Sequence, residues 1–157
     1  MNLIHPLDEI DVTLLEILQK NGRTRRNDLA QAVDLSIPSV SERLRKLEES
    51  GVITGYTTYV DPKKVGKDIT AFIIVTVDSS KHYPSFLDHA KSNDEILEIH
   101  SVTGTGTHLI KIRTENTSSL ERLLSKIQAW SGVLNTTTSI VLTTMKETNK
   151  IKITKSK

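Results

Sequence analysis

Two short helical patterns separated by only two residues constrain this chain more than any other feature of its sequence. The first pattern ends at Val33, and the second begins at Ser36, whose hydroxyl is suited to cap a helix N-terminus. Pro38 falls in the first turn of the second helix, where a missing N–H does no harm, and Gly51 ends that helix. Two short helices joined so closely are typical of a helix-turn-helix.

Another helix is predicted ahead of this pair. Apolar residues recur at helical spacing from Leu7 to Lys20, and Asn21-Gly22 is a typical helix end. Thr24 is the expected N-cap of the second helix. The N-terminal part of the chain is therefore predicted to hold three helices.

After these helices, two short runs at 52–53 and 56–60 predict a two-stranded wing. Residues 1–60 are thus predicted to form a winged helix-turn-helix domain. The polar, turn-rich residues 61–66 are the expected linker.

The second half of the chain alternates between strand and helix patterns. The order is strand, helix, strand, strand, helix, strand, which is the ferredoxin-like βαββαβ arrangement and makes the whole chain an α+β protein. This domain is expected at 67–146, followed by a lysine-rich basic tail at 147–157 that we expect to be frayed. The elements are predicted at 71–77, 83–92, 96–102, 108–113, 117–130 and 136–145.

The helix that starts at Ser36 has one apolar and one polar face. A helix in the major groove needs short donors near its N-terminus for base edges and cations for phosphates. The arginines that open the preceding helix lie where the DNA backbone would pass. The alternative is an amphipathic helix with a solvated charged face. The candidate DNA-binding residues are Arg23, Arg25, Arg26, Ser36, Ser39, Ser41, Arg43, Arg45 and Lys46.

Several motifs follow one another along the chain, namely Leu7–Asp11, 35–48, Gly51-Val52-Ile53-Thr54-Gly55-Tyr56, Val102-Thr103-Gly104 and 132–142. Together they resemble the Lrp/AsnC family, the leucine-responsive or feast/famine regulators. The resemblance implies a regulator of amino-acid metabolism or transport genes that binds double-stranded DNA and has no enzymatic activity or cofactor. It also implies homodimers that assemble to tetramers or octamers, and a small amino acid as effector.

The resemblance places the effector site in the loop that follows Val102. Glycine amides can approach and bind a carboxylate. Thr107 stands where the family often has an aspartate, and a threonine cannot neutralise an ammonium group. The alternative for the loop is a plain β-turn. The candidate effector-binding residues are Thr103, Gly104, Thr105, Gly106, Thr107, His108, Thr136 and Thr138, the last two with ordinary β-propensity as their alternative.

Composition excludes several classes of protein and site. The chain has no cysteine, so disulfides and thiolate metal sites are excluded. No apolar run is long enough for a membrane helix and the N-terminus lacks a signal-peptide pattern, so we expect a cytoplasmic protein. His82 and His89 lack strong zinc spacing, and no metal site is expected.

Charge is unevenly distributed along the chain. Residues 1–60 hold seven Lys/Arg and nine Asp/Glu, a net charge of −2, whereas residues 145–157 hold five lysines and one glutamate, a net charge of +4. DNA binding by the N-terminal domain would then depend on local basic clusters. The basic tail and the missing aspartate favour a second interpretation, an architectural protein that wraps or bridges DNA with little ligand control. A third is a ferredoxin-like metabolite sensor or enzyme with a protein-binding winged helix.

Overall fold

The chain forms two compact units. Its structure, a computed structural model, describes residues 6–153. The first unit comprises residues up to Tyr59 together with those from Lys146 onward, and the second runs from Val60 to Met145. The basic tail therefore belongs to the same unit as the N-terminal helices, although its last residues, 154–157, lie outside the described residues. No helix of the described part has the length and apolar character needed to cross a membrane.

The first unit is built from three helices, α1 (Glu9–Lys20), α2 (Arg26–Ala32) and α3 (Ile37–Glu49). The two helices α2 and α3 follow each other closely, as a helix-turn-helix requires. The apolar stripes of all three helices meet in one core. That core consists of Leu14, Leu15, Leu29, Ala30, Val40, Leu44 and Leu47.

Caps fix where these helices begin. Asp8 accepts a hydrogen bond from the Asp11 N–H at 2.8 Å, and the Asp11 carboxylate accepts from the Asp8 N–H, which makes a reciprocal capping box. The Ser36 hydroxyl accepts from the Ser39 N–H, which confirms it as the cap of α3. Thr24 is not the cap of α2, because its hydroxyl donates to the Asn21 carbonyl and closes the preceding turn.

The predicted pairing of 52–53 with 56–60 is wrong. Residues 51–60 form no strand. The Ile53 N–H donates to the Leu47 carbonyl, and the Tyr56 hydroxyl donates to Glu48. This segment packs back along α3 instead of pairing with itself.

The second unit is a four-stranded sheet with two helices. All strand pairs are antiparallel and the spatial order is β2-β3-β1-β4, so the predicted ferredoxin-like topology is confirmed. The elements are β1 (Ile69–Val77), α4 (Tyr83–Lys91), β2 (Ile96–Ser101), β3 (His108–Thr114), α5 (Thr117–Gln128) and β4 (Val133–Ile140).

The central strand β1 shows why the sheet has two different faces. Its residues alternate in burial, so that Ala71, Ile73 and Val75 are fully buried in the core with residues of α4 and α5, while Phe72 stays 37% exposed. Ile110 on β3 pairs with Ile73 and extends the same buried row. One face of the sheet therefore packs in the core, and the other is open in the single chain.

The last strand begins and ends earlier than the sequence predicts. β4 spans Val133–Ile140 rather than 136–145. Its pairing partner β1 starts at Ile69, and the last bond of this edge runs from the Val141 N–H to the Thr70 carbonyl. In this register Leu142 lies opposite Ile69, the first residue of β1, so residues 143–145 have no β1 residue to pair with. The sequence predicts Thr117 or Ser118 as the cap of α5, but the cap is Asn116.

Candidate nucleic-acid interface and effector loop

Three arginines at the entry of α2 form an exposed basic cluster. Arg23 lies in the turn after α1, Arg25 is the N-cap position and Arg26 is the first residue of α2. None of the three makes an ion pair with another side chain of the described residues 6–153. Unpaired, solvent-exposed guanidinium groups are the groups best suited to bind phosphate oxygens.

The start of α3 presents hydroxyl groups to solvent. Ser36 and Ser39 are exposed, and their side-chain oxygens lie 2.8 Å apart. Ser41 is half-buried on the flank of the same helix. Exposed hydroxyls in the first turn can donate to and accept from base edges.

Arg43 has a partner inside the unit. Its guanidinium donates to Asp8 at 2.7 Å and to Asp11 at 2.9 Å, which joins α3 to the beginning of α1. The Asp11 N–H and the Arg43 guanidinium lower the pKa of the Asp8 carboxyl, in that order of size. Hydrogen bonds to the same carboxylates raise the pKa of Arg43. This side chain holds two helices together, and the structure separates it from the free cations at the entry of α2.

Arg45 and Lys46 lie among carboxylates of their own helix. The Arg45 guanidinium donates to Glu42 at 2.7 and 2.9 Å and also to Glu49, and Lys46 lies 3.7 Å from Glu42. These hydrogen bonds raise the pKa of Arg45. All four side chains are at least half exposed, so a phosphate can compete for the cations, but only by displacing Glu42 or Glu49.

Tyr56 is a contact that the sequence analysis missed. Its hydroxyl donates to Glu48 at 2.8 Å, and burial together with that carboxylate raises the pKa of Tyr56 to about 12. Its ring lines a cavity of about 150 Å³ whose wall includes Gly22, Thr24 and Arg26. Tyr56 thereby connects the segment after α3 to the entry of α2. Short-range sequence patterns do not predict this contact.

The structure explains why both Gly104 and Gly106 of the candidate effector loop are glycines. Gly104 has a φ of +115°, which a residue with a side chain rarely adopts. A Cβ on Gly106 would lie 2.3 Å from the Ile74 Cγ2 atom and 3.2 Å from the Val75 carbonyl oxygen. The loop therefore turns at Gly104 and presses its backbone against β1 at Gly106.

The Thr107 side chain is directed at the sheet. Its hydroxyl accepts from the Val77 N–H at 3.0 Å and lies 3.1 Å from the Val75 carbonyl and 2.9 Å from the His108 Nδ1. Its N–H also donates to the Val75 carbonyl. The hydroxyl thus satisfies the backbone where the β1–β4 pairing shifts register, between Thr76 and Val77.

His108 is fully buried beneath the loop. Its ring packs at 4.8 Å from Tyr83 and 4.7 Å from Phe86, measured between ring centroids. Its Nε2 has no hydrogen-bond partner among the described residues. Burial lowers the pKa of His108, which favours the neutral ring.

Thr136 lies at the same end of the sheet as His108. Val75 pairs with His108 on one side and with Thr136 on the other, so strand spacing puts these two about 10 Å apart. Thr138 pairs with Ile73, two residues further along β1. The Thr136 hydroxyl accepts from the Gln128 amide at 2.9 Å, and both line a cavity of about 210 Å³ with Val133, Leu134 and Asn135. Gln128 was not among the predicted site residues.

Each of the two units matches a known protein family. Residues 70–151 match the family model of the Lrp/AsnC ligand binding domain, and residues 7–54 match that of a winged helix-turn-helix DNA-binding domain. The HTH-type transcriptional regulator FL11 of Pyrococcus horikoshii is 38% identical over 94% of this chain and 97% of its own length.

Solved structures give the same picture. The structure of Escherichia coli AsnC superposes with a TM-score of 0.87 and 33% identity, covering 95% of this chain and 100% of that one. A feast or famine regulatory protein from M. tuberculosis, complexed with L-methionine, superposes with a TM-score of 0.84 and 30% identity. Coverage there is 94% of this chain and 99% of the other.

Proposed function

Since this chain belongs to the Lrp/AsnC family of transcription regulators, we propose that it binds DNA through the entry of α2 and the first turns of α3 and that a small amino acid regulates it as an effector. The proposed DNA binding rests on the exposed cluster of Arg23, Arg25 and Arg26, which lies beside α3, the helix capped by Ser36.

The cations divide into two roles under this proposal. Arg23, Arg25 and Arg26 meet the phosphates first, because no carboxylate among the described residues has to be displaced. Arg45 and Lys46 bind only by exchanging Glu42 for a phosphate or a guanine edge. This exchange makes DNA contact at α3 more selective than contact at α2, because a poorly placed DNA acceptor does not compensate for the lost ion pair.

Replacing single arginines tests the DNA part. Arg25→Gln removes one unpaired charge and leaves the backbone geometry of the cap available. The loss of one phosphate contact should reduce the slope of log DNA affinity against log salt concentration by about 0.9. Lys126→Gln removes an exposed charge from α5 in the second unit and serves as the control. Equal salt slopes for wild type, Arg25→Gln and a triple variant that also lacks Arg23 and Arg26 would refute the interface.

The effector would be bound by backbone rather than by a carboxylate. The Thr107 hydroxyl is already engaged with Val75, Val77 and His108, and the loop from Thr103 to Gly106 contains no acidic residue. The exposed peptide groups of Gly104 and Thr105 are the available partners for the ligand carboxylate. Thr136 and Gln128, which share a cavity, offer further polar groups.

The open face of the sheet supports assembly of the effector unit. Phe72 is an exposed apolar side chain, and Ile74 and Leu109 are only half-buried. A second copy that covers Phe72 and its neighbours would remove apolar surface from water. We therefore expect at least a homodimer, and the pairing of dimers into tetramers or octamers as a further step.

An architectural role with little ligand control is the second candidate. The internal bonds of Thr107 and the complete burial of His108 favour it, since both side chains are then unavailable to a ligand. Thermal unfolding in the presence of single amino acids, L-methionine included, separates the two functions. A ligand at a hundred times its dissociation constant should add about 2.7 kcal/mol to stability. A selective shift supports the effector-responsive regulator, and no shift with any amino acid supports the architectural role.

A further inference from the structure

The last described residues of the chain return to the DNA-binding unit. The Gln19 side-chain amide, at the end of α1, pairs with the backbone of Ile151 through both of its polar groups. Its Nε2 donates to the Ile151 carbonyl at 3.1 Å, and its Oε1 accepts from the Ile151 N–H at 2.8 Å. Ile153 is half-buried against the core of the same unit. The contact resembles one rung of a β-ladder and fixes the position of the tail.

This docking leaves the tail lysines free. The two bonds from Gln19 use only the backbone of Ile151, so they make no demand on the side chains to either side. Lys146, Lys150 and Lys152 are exposed and make no ion pair within the described part of the chain. Unpaired ammonium groups on a docked segment of a DNA-binding unit are available to phosphates.

The tail reverses the charge of the unit that it joins. The N-terminal residues up to 59 carry a net charge of −2, and the tail from 146 adds +4, which gives the complete unit +2. A unit with an excess of carboxylates would be repelled by DNA at long range, whereas a positive one is attracted. The tail therefore supplies what the helix-turn-helix lacks.

The docking point is close to the arginine cluster. Gln19 precedes Arg23 by four residues, so their Cα atoms are at most about 15 Å apart. The tail is thus held at the end of α1 from which the chain runs directly into the phosphate-binding cluster.

We propose that the docked C-terminal segment is a second phosphate-contacting element of the DNA-binding unit, with Lys150 and Lys152 as its contacts. The inference rests on the proposed DNA-binding function and adds a site outside the helix-turn-helix. Because the lysines contact only phosphates, they strengthen binding to every DNA sequence equally.

The test compares salt slopes of DNA affinity for full-length variants on a mixed-sequence duplex. Lys150→Gln with Lys152→Gln should lower the slope by about 1.8 per bound protomer, because each lost phosphate contact removes about 0.9. Lys91→Gln with Lys126→Gln removes the same charge from exposed positions on α4 and α5 and should leave the slope unchanged. Equal loss in both double variants, or no loss in the tail variant, overturns the proposal.

A separate variant tests the docking itself. Gln19→Met keeps the side-chain length and removes both hydrogen bonds to Ile151. Because all lysines are still present, it should lower the salt slope by less than the double lysine variant does. An unchanged slope in Gln19→Met, with an unchanged helix signal in circular dichroism, would show that docking does not position the lysines.

Arg25→Gln distinguishes failure of this inference from failure of the proposed function. A reduced slope for Arg25→Gln with a wild-type slope for the tail variant rejects the tail contact and keeps the helix-turn-helix interface. A wild-type protein whose DNA binding shows no salt dependence rejects both.

Discussion

Arg43 on α3 donates to the buried carboxylate of Asp11 on α1 over 2.9 Å. The sequence analysis assigned this arginine to phosphate contact, and its neighbour Arg45 as well. The structure gives the two different surroundings, since Arg43 joins two helices and Arg45 bonds only within its own helix.

Arg43→Ala and Arg45→Ala should therefore impair different properties, the first stability and the second DNA binding. Loss of Arg43 leaves Asp11, only 6% exposed, without its cation and should lower the free energy of unfolding by about 1–2 kcal/mol. Loss of Arg45 should leave stability almost unchanged and weaken DNA binding. Urea unfolding and fluorescence anisotropy with a DNA duplex measure the two effects, and equal destabilisation by both substitutions would contradict this division.

The Asp8 carboxyl gives the first unit an acid-sensitive cap. Its pKa is lowered by the Asp11 N–H and by Arg43, so the unfolded chain takes up the proton first as pH falls. The contribution to stability is fully present above the ordinary pKa of 3.8 and is lost as pH falls through the lowered value. Asp8→Asn keeps a capping oxygen without the charge. We expect its stability difference from wild type to disappear in strong acid, and a difference independent of pH would speak against this origin.

Protonation of His108 should destabilise the second unit. Its pKa is lowered by burial, so the unfolded state binds the proton more readily below the ordinary value of 6.5. Stability is then fully present above pH 6.5 and falls towards the lowered pKa by at most about 1.4 kcal/mol per pH unit.

His108→Phe keeps an aromatic ring beside Tyr83 and Phe86 without a titrating group. Its unfolding free energy should decline less than that of wild type between about pH 7 and pH 5. Identical pH profiles for the two proteins would show that His108 is not responsible, because every other residue is the same in both.

Gly106→Ala should disturb the effector loop. The new Cβ would lie 2.3 Å from the Ile74 Cγ2 atom, so the loop or β1 must move, at a cost of about 1–3 kcal/mol. Gly55→Ala is a suitable control, because nothing lies within 4 Å of its Cβ position. Thermal unfolding should separate the variants, and a Gly106→Ala protein as stable as the Gly55→Ala protein would show that the loop has room to move.

Local patterns predicted the five helices and the first three strands of the sheet, because each of these elements depends on neighbours within a few residues. Ser36 caps α3 through the residue three positions on, and the alternation of β1 follows from the two-residue period of a strand. Thr24 was misassigned because its hydroxyl has two local uses, a cap or a turn, and the turn at Asn21 is formed.

Contacts over long sequence separations were beyond local patterns. Arg43 reaches Asp8 across 35 positions and Gln19 reaches Ile151 across 132. A helical wheel treats an arginine on the flank of an apolar stripe as a free cation, and the stripe does not reveal which carboxylate faces it. Thr107 was recognised as a replacement for an acidic residue, but its bonds to β1 depend on the register of the sheet.

The pairing of Gln19 with Ile151 also sets an order of events during synthesis. The N-terminal helices leave the ribosome first and can pack as soon as α3 is complete, whereas Ile151 is made only after the whole of the second unit. A nascent chain or a prematurely terminated product therefore displays a helix-turn-helix whose acidic residues outnumber its basic ones. Only a chain that includes the tail gives this unit a net positive charge, so shorter products are poor competitors for DNA.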